Sequence, residues 1–282
     1  MPDSPLPVPP GSLVFIVGTR RSGTTLVNNI LCADPQANPH IGEAQPLTHL
    51  LQAFAWCADN HERMTRHYLP TRQALDEFAD GVCRDLIGEC WNTQGRPRHL
   101  VLKNPELTLH LPALQRCFPS ARFVVCVRDP RDQIASERDV ISRRSPTAAF
   151  SAGTLAQAYV RSLECALWAA ETAPQAFCFV RYETLVAEPA QEAARLGTFC
   201  GLDLSAFDPT SAWQRMAVTQ EELARRPSFS PLYAAPVSSS RVGRFREVLS
   251  DDDIARIEQA TGPLMQHFGY GRSLAPVPGQ PA

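Results

Sequence analysis

The amino-acid sequence predicts an α/β fold in which a parallel sheet is covered by helices on both faces. Three observations lead to this prediction: short apolar runs bounded by turn residues, helical patterns between the runs, and the lack of any repeat or long low-complexity linker. Short continuous apolar runs are typical of strands buried in a parallel sheet. Strands that alternate with helices along the chain indicate such a sheet.

Four apolar runs are predicted to form the strands. They span residues 13–17, 100–102, 123–127 and 177–180. Helical patterns separate and follow these strands. They span residues 24–33, 107–117, 131–141, 155–172 and 192–200. The first of these helices stops before Pro35 and the last before Gly201, because proline cannot continue a helix and glycine favours the conformation that ends one.

The length of the chain, 282 residues, fits one domain with a helical elaboration. We expect a proline-rich, unstructured lead-in over residues 1–10, a single domain over residues 11–273, and a proline-rich tail over residues 274–282. Residues 47–94 contain few strand patterns and are predicted to form a helical insertion that serves as a lid or as the wall of a pocket.

The composition argues against several classes of protein. A formal charge of −2 gives no overall basic field, so we expect neither a nucleic-acid partner nor attraction to a membrane surface. The longest apolar run is too short to span a bilayer. Residues 1–10 contain five prolines and do not resemble a secretory leader. The arginines are clustered along the chain, which is consistent with a small anionic ligand.

Nine cysteines are present, an odd number without any C-x-x-C pair. Five of them lie in apolar runs or predicted helices: Cys117, Cys126, Cys165, Cys178 and Cys200. We expect them to be small, buried, reduced side chains, which implies a reducing, cytoplasmic setting. No set of His and Cys has the spacing of metal ligands, so we expect no metal site.

A glycine-rich loop follows the first predicted strand and leads into the first predicted helix. Its sequence is Gly18-Thr19-Arg20-Arg21-Ser22-Gly23-Thr24-Thr25. The G-x-x-x-x-G frame between a strand and a helix is typical of phosphate-binding loops, whose backbone N–H groups and helix N-terminus attract a phosphate. The loop therefore predicts a P-loop NTPase-like sheet. The alternative is a strand-to-helix turn that merely requires glycine.

Position 24 distinguishes this loop from that of a kinase or a GTPase. P-loop NTPases carry a lysine there, which reaches the β- and γ-phosphates. In this chain Thr24 replaces the lysine, and Arg20 and Arg21 supply the positive charge. A donor with a 5′-phosphate and a sulfate would need neither this lysine nor necessarily a metal.

The segment from Phe15 to Leu26 resembles the 5′-phosphosulfate-binding motif of sulfotransferases that use 3′-phosphoadenosine 5′-phosphosulfate (PAPS). Its R-S-G-T-T-L sequence is that of the bacterial and tyrosyl-protein branch. The resemblance implies which residues hold the 5′-phosphate and the sulfuryl group, with Arg20 adding charge. These residues are Arg21, Ser22, Gly23, Thr24 and Thr25.

A second anion site is predicted after the third strand. Arg128 follows that strand, and Ser136 lies eight residues later on the next predicted helix. Ligands of open α/β sheets collect at the carboxyl ends of strands, and an arginine with a hydroxyl can bind phosphate through charge-assisted hydrogen bonds. The R-D-P-R segment with this serine resembles the family's 3′-phosphate motif. The alternative is a surface ion-pair network among Arg128, Asp129, Arg131 and Asp132.

Three further segments resemble the same family. Lys103, in a K-x-P segment, would lie near the bridging oxygen of the donor, and Tyr182, in a Y-E-x-L segment, would lie near the nucleotide. A solvated lysine and a packed tyrosine are the respective alternatives. Residues 239–246 resemble the late loop that closes over the adenine and the 3′-phosphate. The candidate nucleotide-binding residues in this loop are Ser240, Arg241, Gly243 and Arg244.

Sulfuryl transfer requires in-line positioning, stabilisation of charge on the bridging oxygen, and a base for the acceptor proton. Arg21 and Lys103 are the candidates for stabilising the leaving phosphate. Glu43 is the candidate base and His40 the reserve. Tyrosyl-protein members carry two successive acids after the glycine and use the second, whereas Ala44 follows Glu43 here. Alternatively, Glu43 is a carboxylate near the N-terminus of the next helix, where negative charge is favoured.

The sequence therefore predicts a sulfotransferase that moves a sulfuryl group from PAPS to a hydroxyl acceptor. Peptide tyrosine, sugar, lipid and small alcohol remain open as acceptors, and so does the oligomeric state. Residues 47–94 and 213–236 are expected to shape the acceptor pocket. The alternatives are a nucleotide-dependent kinase with a degenerate P-loop and a non-catalytic nucleotide-binding protein.

Overall fold

The computed structural model describes residues 11–145, 147, 149–211 and 236–272. It contains a parallel sheet of four strands in the order β2-β1-β3-β4. The strands are β1 (Leu13–Gly18), β2 (Leu100–Lys103), β3 (Arg122–Val127) and β4 (Phe177–Arg181). Every neighbouring pair is parallel. All four predicted strands are confirmed, each within one residue of the predicted bounds.

Helices connect and flank the strands in the described residues. They are α1 (Thr24–Leu31), α2 (Gln45–Asp59), α3 (Arg72–Thr93), α4 (Leu111–Cys117), α5 (Pro130–Arg144), α6 (Ala152–Thr172), α7 (Tyr182–Ala187), α8 (Pro189–Cys200), α9 (Phe245–Val248) and α10 (Asp251–His267). The predicted helix over residues 107–117 is divided into a 3-10 turn, Pro105–His110, and α4. Pro112 explains this division, because it has no N–H to continue a helix through that point and is best placed near a helix start.

The predicted helical insertion consists of α2 and α3, which pack against each other. Thr71 caps α3, since its side chain accepts a hydrogen bond of 3.0 Å from the N–H of Ala74. Leu51 of α2 and Ile87 of α3 lie in the same apolar core as Phe15 of β1. The insertion is therefore built into the core on one side of the sheet.

Alternate residues of β1 point to opposite faces, and helices cover both faces. Phe15 and Val17 lie in the apolar core that also includes residues of α2, α3, α4, α6 and α10. Val14 and Ile16 pack on the other face with residues of α1 and α8. Helices on both faces of a parallel sheet were predicted and are confirmed.

The carboxyl ends of the four strands meet at one edge of the sheet, because all strands are parallel. The loop before α1 follows β1, and Lys103 ends β2. Arg128 follows β3, and Tyr182 follows β4. The topology thus brings the predicted site segments of four distant stretches of chain to the same edge.

Some expectations concern residues that the structure does not describe. The lead-in over residues 1–10, the tail over residues 274–282 and most of residues 213–236 lie outside the described part of the chain. Within the described part, no helix is both long and apolar enough to cross a bilayer. Four of the five cysteines expected to be buried are buried, and Cys165 is half-buried.

Candidate active site

Two glycines give the loop between β1 and α1 its shape. Gly18 has φ of 129°, and a Cβ on it would lie 2.3 Å from the carbonyl oxygen of Cys126. Gly23 has φ of 99°, and a Cβ on it would lie 2.7 Å from the ring of Tyr182. Side chains avoid both the positive φ and such contacts. The chain therefore needs glycine at both ends of the predicted phosphate loop.

Hydrogen bonds from a neighbouring turn fix the start of this loop. The N–H of Gly18 donates to Oγ1 of Thr108 over 2.7 Å, and the Thr108 hydroxyl lies 2.8 Å from the Gly18 carbonyl oxygen. The hydroxyl of Ser22 donates to the carbonyl of Thr19 over 2.7 Å. Nothing in the sequence pattern pointed to Thr108, because its role depends on a contact between residues 90 positions apart.

The two arginines of the loop have different partners. Arg20 is half-exposed and lies between two carboxylates, 3.2 Å from Glu106 and 3.5 Å from Glu137. Nε of Arg21 donates to Oγ of Ser136 over 3.3 Å. The side chain of Arg21 therefore contacts a residue predicted to bind the other phosphate. The nucleotide-binding role of Arg20 stays a prediction, and part of its charge is balanced by the two glutamates.

Arg128 joins the two predicted anion sites. Its guanidinium is buried and donates to the carbonyl of Arg21 over 3.2 Å and to the carbonyl of Arg241 over 2.7 Å. It also lies 4.3 Å above the ring centre of Tyr182, in cation–π geometry. Residues that follow β1, β3 and β4 thus meet the late loop around one guanidinium. If the two predicted sites lay on opposite faces of the protein, one nucleotide could not reach both. The structure instead places them side by side.

The surface ion-pair network considered for the R-D-P-R segment is not what the structure contains. Arg131 is buried and pairs with Asp129 and Glu258, each over 2.6 Å. The carboxylate of Asp132 accepts hydrogen bonds from the backbone instead. Arg128 is therefore not part of the ion pairs that Arg131 forms with Asp129 and Glu258.

The late loop is anchored to α5 through its backbone. Asp132 accepts from the N–H of Gly243 over 2.6 Å and from the N–H of Phe245 over 2.9 Å. Burial raises the pKa of Asp132 although these N–H groups and Arg128 act in the opposite direction. The side chain of Arg244 pairs with Asp139. The nucleotide contacts expected of Gly243 and Arg244 stay predictions.

Two other candidates in the late loop differ in how they meet the site. Arg241 contributes its carbonyl to Arg128, and its side chain lies 3.9 Å from Asp139. Burial lowers the pKa of Arg241, helped by the charge of Arg244. Ser240 is exposed, and its N–H donates to the hydroxyl of Ser238 over 3.2 Å. Arg241 is thus the candidate of this loop that directly contacts the shared site.

Lys103 is buried at the end of β2, so it is not the solvated lysine that was the alternative. Its Nζ lies 2.9 Å from Oε1 of Glu43 and 3.4 Å from Oγ1 of Thr25. Burial acts to raise the pKa of Glu43, but the charge and hydrogen bond of Lys103, with smaller effects of Gln45 and Arg20, outweigh it and lower the pKa. Glu43 is therefore ionised at neutral pH.

His40, the reserve base, lies next to this pair. Burial and the charge of Lys103 lower its pKa to about 4, so its ring is neutral at physiological pH. Nδ1 of His40 lies 3.0 Å from Nδ2 of Asn28 and 2.5 Å from Oδ1 of Asn29. These contacts fix the ring against α1.

Three residues outside the predicted set support the turn that carries Arg128. The hydroxyl of Tyr159 donates to the carbonyl of Arg128 over 2.9 Å. Glu183 accepts from the N–H of Asp129 over 3.0 Å and from the hydroxyl of Tyr270 over 2.7 Å. Glu183 belongs to the Y-E-x-L segment, so the motif could have identified it. Tyr159 and Tyr270 carry no local pattern that would have done so.

Comparisons with known proteins identify the family. The model described as "Sulfotransferase family" matches residues 13–206, more than half of the chain. A putative protein-tyrosine sulfotransferase of Caenorhabditis briggsae is 25% identical over 265 residues, covering 93% of this chain and 90% of its own. Protein-tyrosine sulfotransferase 2 of Gallus gallus is 28% identical over 273 residues, covering 92% of this chain and 69% of its own.

Solved structures share the fold. The sulfotransferase domain of the Synechococcus PCC 7002 olefin synthase has a TM-score of 0.62 at 18% identity and covers 96% of this chain and 98% of its own. The sulfotransferase domain from the curacin biosynthetic pathway has a TM-score of 0.61 at 18% identity, with coverage of 93% and 98%. The predicted P-loop NTPase-like fold is confirmed. The two alternatives, a nucleotide-dependent kinase and a non-catalytic nucleotide-binding protein, are not favoured. The chain belongs to the sulfotransferase family and is an enzyme that transfers a sulfuryl group.

Proposed function

We propose that the sulfuryl donor is PAPS, bound across Arg21 and Arg128. The observation that carries this proposal is their direct contact at the carboxyl edge of the sheet, where Arg128 donates to the carbonyl of Arg21 over 3.2 Å. A nucleotide with a phosphate at each end needs two cationic sites close together. PAPS use is the norm of the family to which the chain belongs.

The residues around Arg128 fit a phosphate. Two of its five guanidinium N–H groups donate to carbonyls. Its buried Nε has no hydrogen-bond partner among the residues that the structure describes. A buried donor without a partner is unfavourable in a folded protein. A phosphate oxygen would satisfy it, and Ser136 could add its hydroxyl.

The residues near Lys103 suit the chemistry at the other end. When bound, PAPS supplies a sulfuryl group attached to a phosphate that leaves. The S–O bond to that phosphate breaks while a new S–O bond to the acceptor oxygen forms. The ammonium of Lys103 and the guanidinium of Arg21 stabilise the negative charge that builds up on the leaving oxygen. The carboxylate of Glu43 takes the proton of the acceptor hydroxyl.

The low pKa of Glu43 bears on the class of acceptor. A carboxylate held ionised by Lys103 is a weak base, so it suits a hydroxyl that is itself fairly acidic. A phenol, with a pKa of about 10, meets this condition far better than an aliphatic alcohol. We therefore propose peptide tyrosine as the acceptor. The similarity to protein-tyrosine sulfotransferases supports this choice.

The donor is tested by thermal unfolding with nucleotides. Adenosine 3′,5′-bisphosphate, ADP and ATP are compared at equal concentrations, because a ligand of the native state raises the melting temperature by mass action. We expect a clear rise with the bisphosphate and little with the other two. A rise with ATP alone would contradict the proposal and favour a kinase.

The acceptor is tested by transfer of labelled sulfate from PAPS. A peptide with a single tyrosine is compared with matched peptides that carry phenylalanine or serine at the same position. We expect label in the tyrosine peptide only. Label in the serine peptide at an equal rate would refute the phenol argument without affecting the donor.

We also propose a cytoplasmic setting, which the nine unpaired cysteines support.

A further inference from the structure

The proposed base and its lysine partner stand on different elements of the fold. Glu43 lies just before the start of α2, whereas Lys103 ends β2. The side chain of Glu43 is 43% exposed, and its Oε1 lies 2.9 Å from Nζ of Lys103. A half-exposed glutamate has several rotamers available to it. Its backbone must therefore be placed accurately if the carboxylate is to meet the acceptor hydroxyl.

A closed ring of hydrogen bonds joins the start of α2 to the end of β2. The N–H of Ala44 donates to the carbonyl of Lys103 over 2.9 Å. The hydroxyl of Thr48 donates to the carbonyl of Ala44 over 3.1 Å, and the side-chain amide of Asn104 donates to that hydroxyl over 2.7 Å. Asn104 directly follows Lys103, so the ring closes through the peptide bond between them.

The two side chains of this ring are not accessible to a ligand. Thr48 and Asn104 are both 0% exposed. Asn104 is also fixed to its surroundings, because its N–H donates to the carbonyl of Ile16 over 3.1 Å and its side-chain oxygen accepts from the N–H of Glu106 over 3.0 Å. Buried hydrogen bonds of this kind are costly to leave unmade. Asn104 is thus a rigid point to which Thr48 ties α2.

The helix itself does not need the hydroxyl of Thr48. The N–H of Thr48 already donates to the carbonyl of Ala44 over 3.1 Å. A threonine hydroxyl that bonds to a carbonyl four residues earlier slightly destabilises a helix, and threonine is a poorer helix former than leucine or alanine. The hydroxyl at position 48 therefore serves the contact between α2 and β2.

We infer that Thr48 and Asn104 are positioning residues, which hold the backbone of Glu43 where its carboxylate can take the acceptor proton. This inference rests on the proposed role of Glu43 and deepens it, because it assigns the placement of the base to two buried side chains. The start of the helical insertion is then part of the catalytic geometry, through its backbone and without touching the substrate.

The test measures kcat and KM for transfer from saturating PAPS to a tyrosine peptide. Thr48→Val has nearly the shape of threonine and lacks the hydroxyl, whereas Thr48→Ser retains it. We expect kcat to fall about 10- to 100-fold in Thr48→Val, as for a slightly misplaced reacting group, and to recover in Thr48→Ser. KM for the peptide should stay near its wild-type value in both. The dissociation constant of adenosine 3′,5′-bisphosphate should also stay unchanged, which shows that the variants are folded.

A double variant separates positioning from a general effect on the fold. Thr48→Val is combined with Glu43→Gln, and kcat is compared with that of Glu43→Gln alone. If Thr48 acts through Glu43, the double variant is no slower than Glu43→Gln. If Thr48 merely stabilises the protein, the two losses multiply, and the inference is overturned.

The remaining outcomes separate this inference from the proposed base. Wild-type kcat in Thr48→Val, or an equal loss in Thr48→Ser, would overturn the positioning role and leave the base in place. Wild-type kcat in Glu43→Gln would show that the base itself is wrong, and the positioning role with it. If Thr48→Val did not bind the bisphosphate, Thr48→Ala would decide by the same criteria, since it leaves room for a water molecule beside the amide of Asn104.

Discussion

Replacing Lys103 by methionine tests the chemistry of the site most directly. Methionine has a similar length and no charge, so it can occupy the buried end of β2. Lys103 lies 2.9 Å from Glu43 and 3.4 Å from Thr25. The substitution therefore removes a cation from the predicted leaving group and the partner of the predicted base in one step.

Two effects are expected, and they are separable. Loss of one preorganised donor to a developing oxyanion lowers kcat by about 10²–10³-fold. In addition, the pKa of Glu43 rises, because burial acts to raise it and Lys103 is the main group that lowers it. A base must be deprotonated to act. The acid limb of kcat against pH therefore moves to higher pH in Lys103→Met.

The assay is sulfuryl transfer from saturating PAPS to a tyrosine peptide across acidic and neutral pH. Lys103→Arg is the matched control, since it keeps the charge and should keep the acid limb near its wild-type position. Glu43→Gln separates the two candidate bases. If Glu43 is the base, this variant should lower kcat about 10²–10⁴-fold. If His40 is the base, the acid limb of kcat against pH should stay in place. An unmoved acid limb in Lys103→Met, or wild-type kcat, would refute the reasoning.

Three other variants test how the site is held. Arg128→Met should weaken binding of adenosine 3′,5′-bisphosphate by about 2–5 kcal/mol in calorimetry, and a dissociation constant equal to the wild type would exclude the 3′-phosphate assignment. Gly23→Ala should lower stability by about 1–3 kcal/mol, because the new Cβ would lie 2.7 Å from the ring of Tyr182; denaturant unfolding with an unchanged midpoint would contradict this contact. Tyr159→Phe should cost about 1–3 kcal/mol in the same assay, since it leaves the buried carbonyl of Arg128 without its 2.9 Å donor, and a loss near zero would mean that another group replaces the hydroxyl.

The sheet could be predicted from the sequence because its strands are buried on both faces. Such strands appear as short, uninterrupted apolar runs, and their ends were correct to within one residue. The helix after β2 was less predictable. Residues 107–117 have one apolar pattern, but Pro105 and Pro112 decide where a 3-10 turn gives way to α4. Periodicity reports which residues are buried and does not report the type of helix.

The convergence of the two anion sites could also be predicted, because parallel strands bring their carboxyl ends to one edge. What could not be predicted is how each polar side chain is paired. Thr108 and Tyr159 serve the site through contacts over 90 and 31 positions of sequence. The burial of Lys103 could not be predicted either, since a lysine at a strand end is usually solvated.

The pairing of the arginines explains how a chain with a formal charge of −2 presents a cationic edge. Arg131 lies two positions after Asp129 and pairs with it and with Glu258, so its charge serves the fold. Arg20 is likewise flanked by Glu106 and Glu137. Arg128, by contrast, donates to two backbone carbonyls, which satisfy N–H groups and carry no net charge. These carbonyls do not neutralise the guanidinium, and a buried charge is stable only beside an anion or in reach of water. The type of partner, and not the number of arginines, is therefore what marks the anion site in this protein.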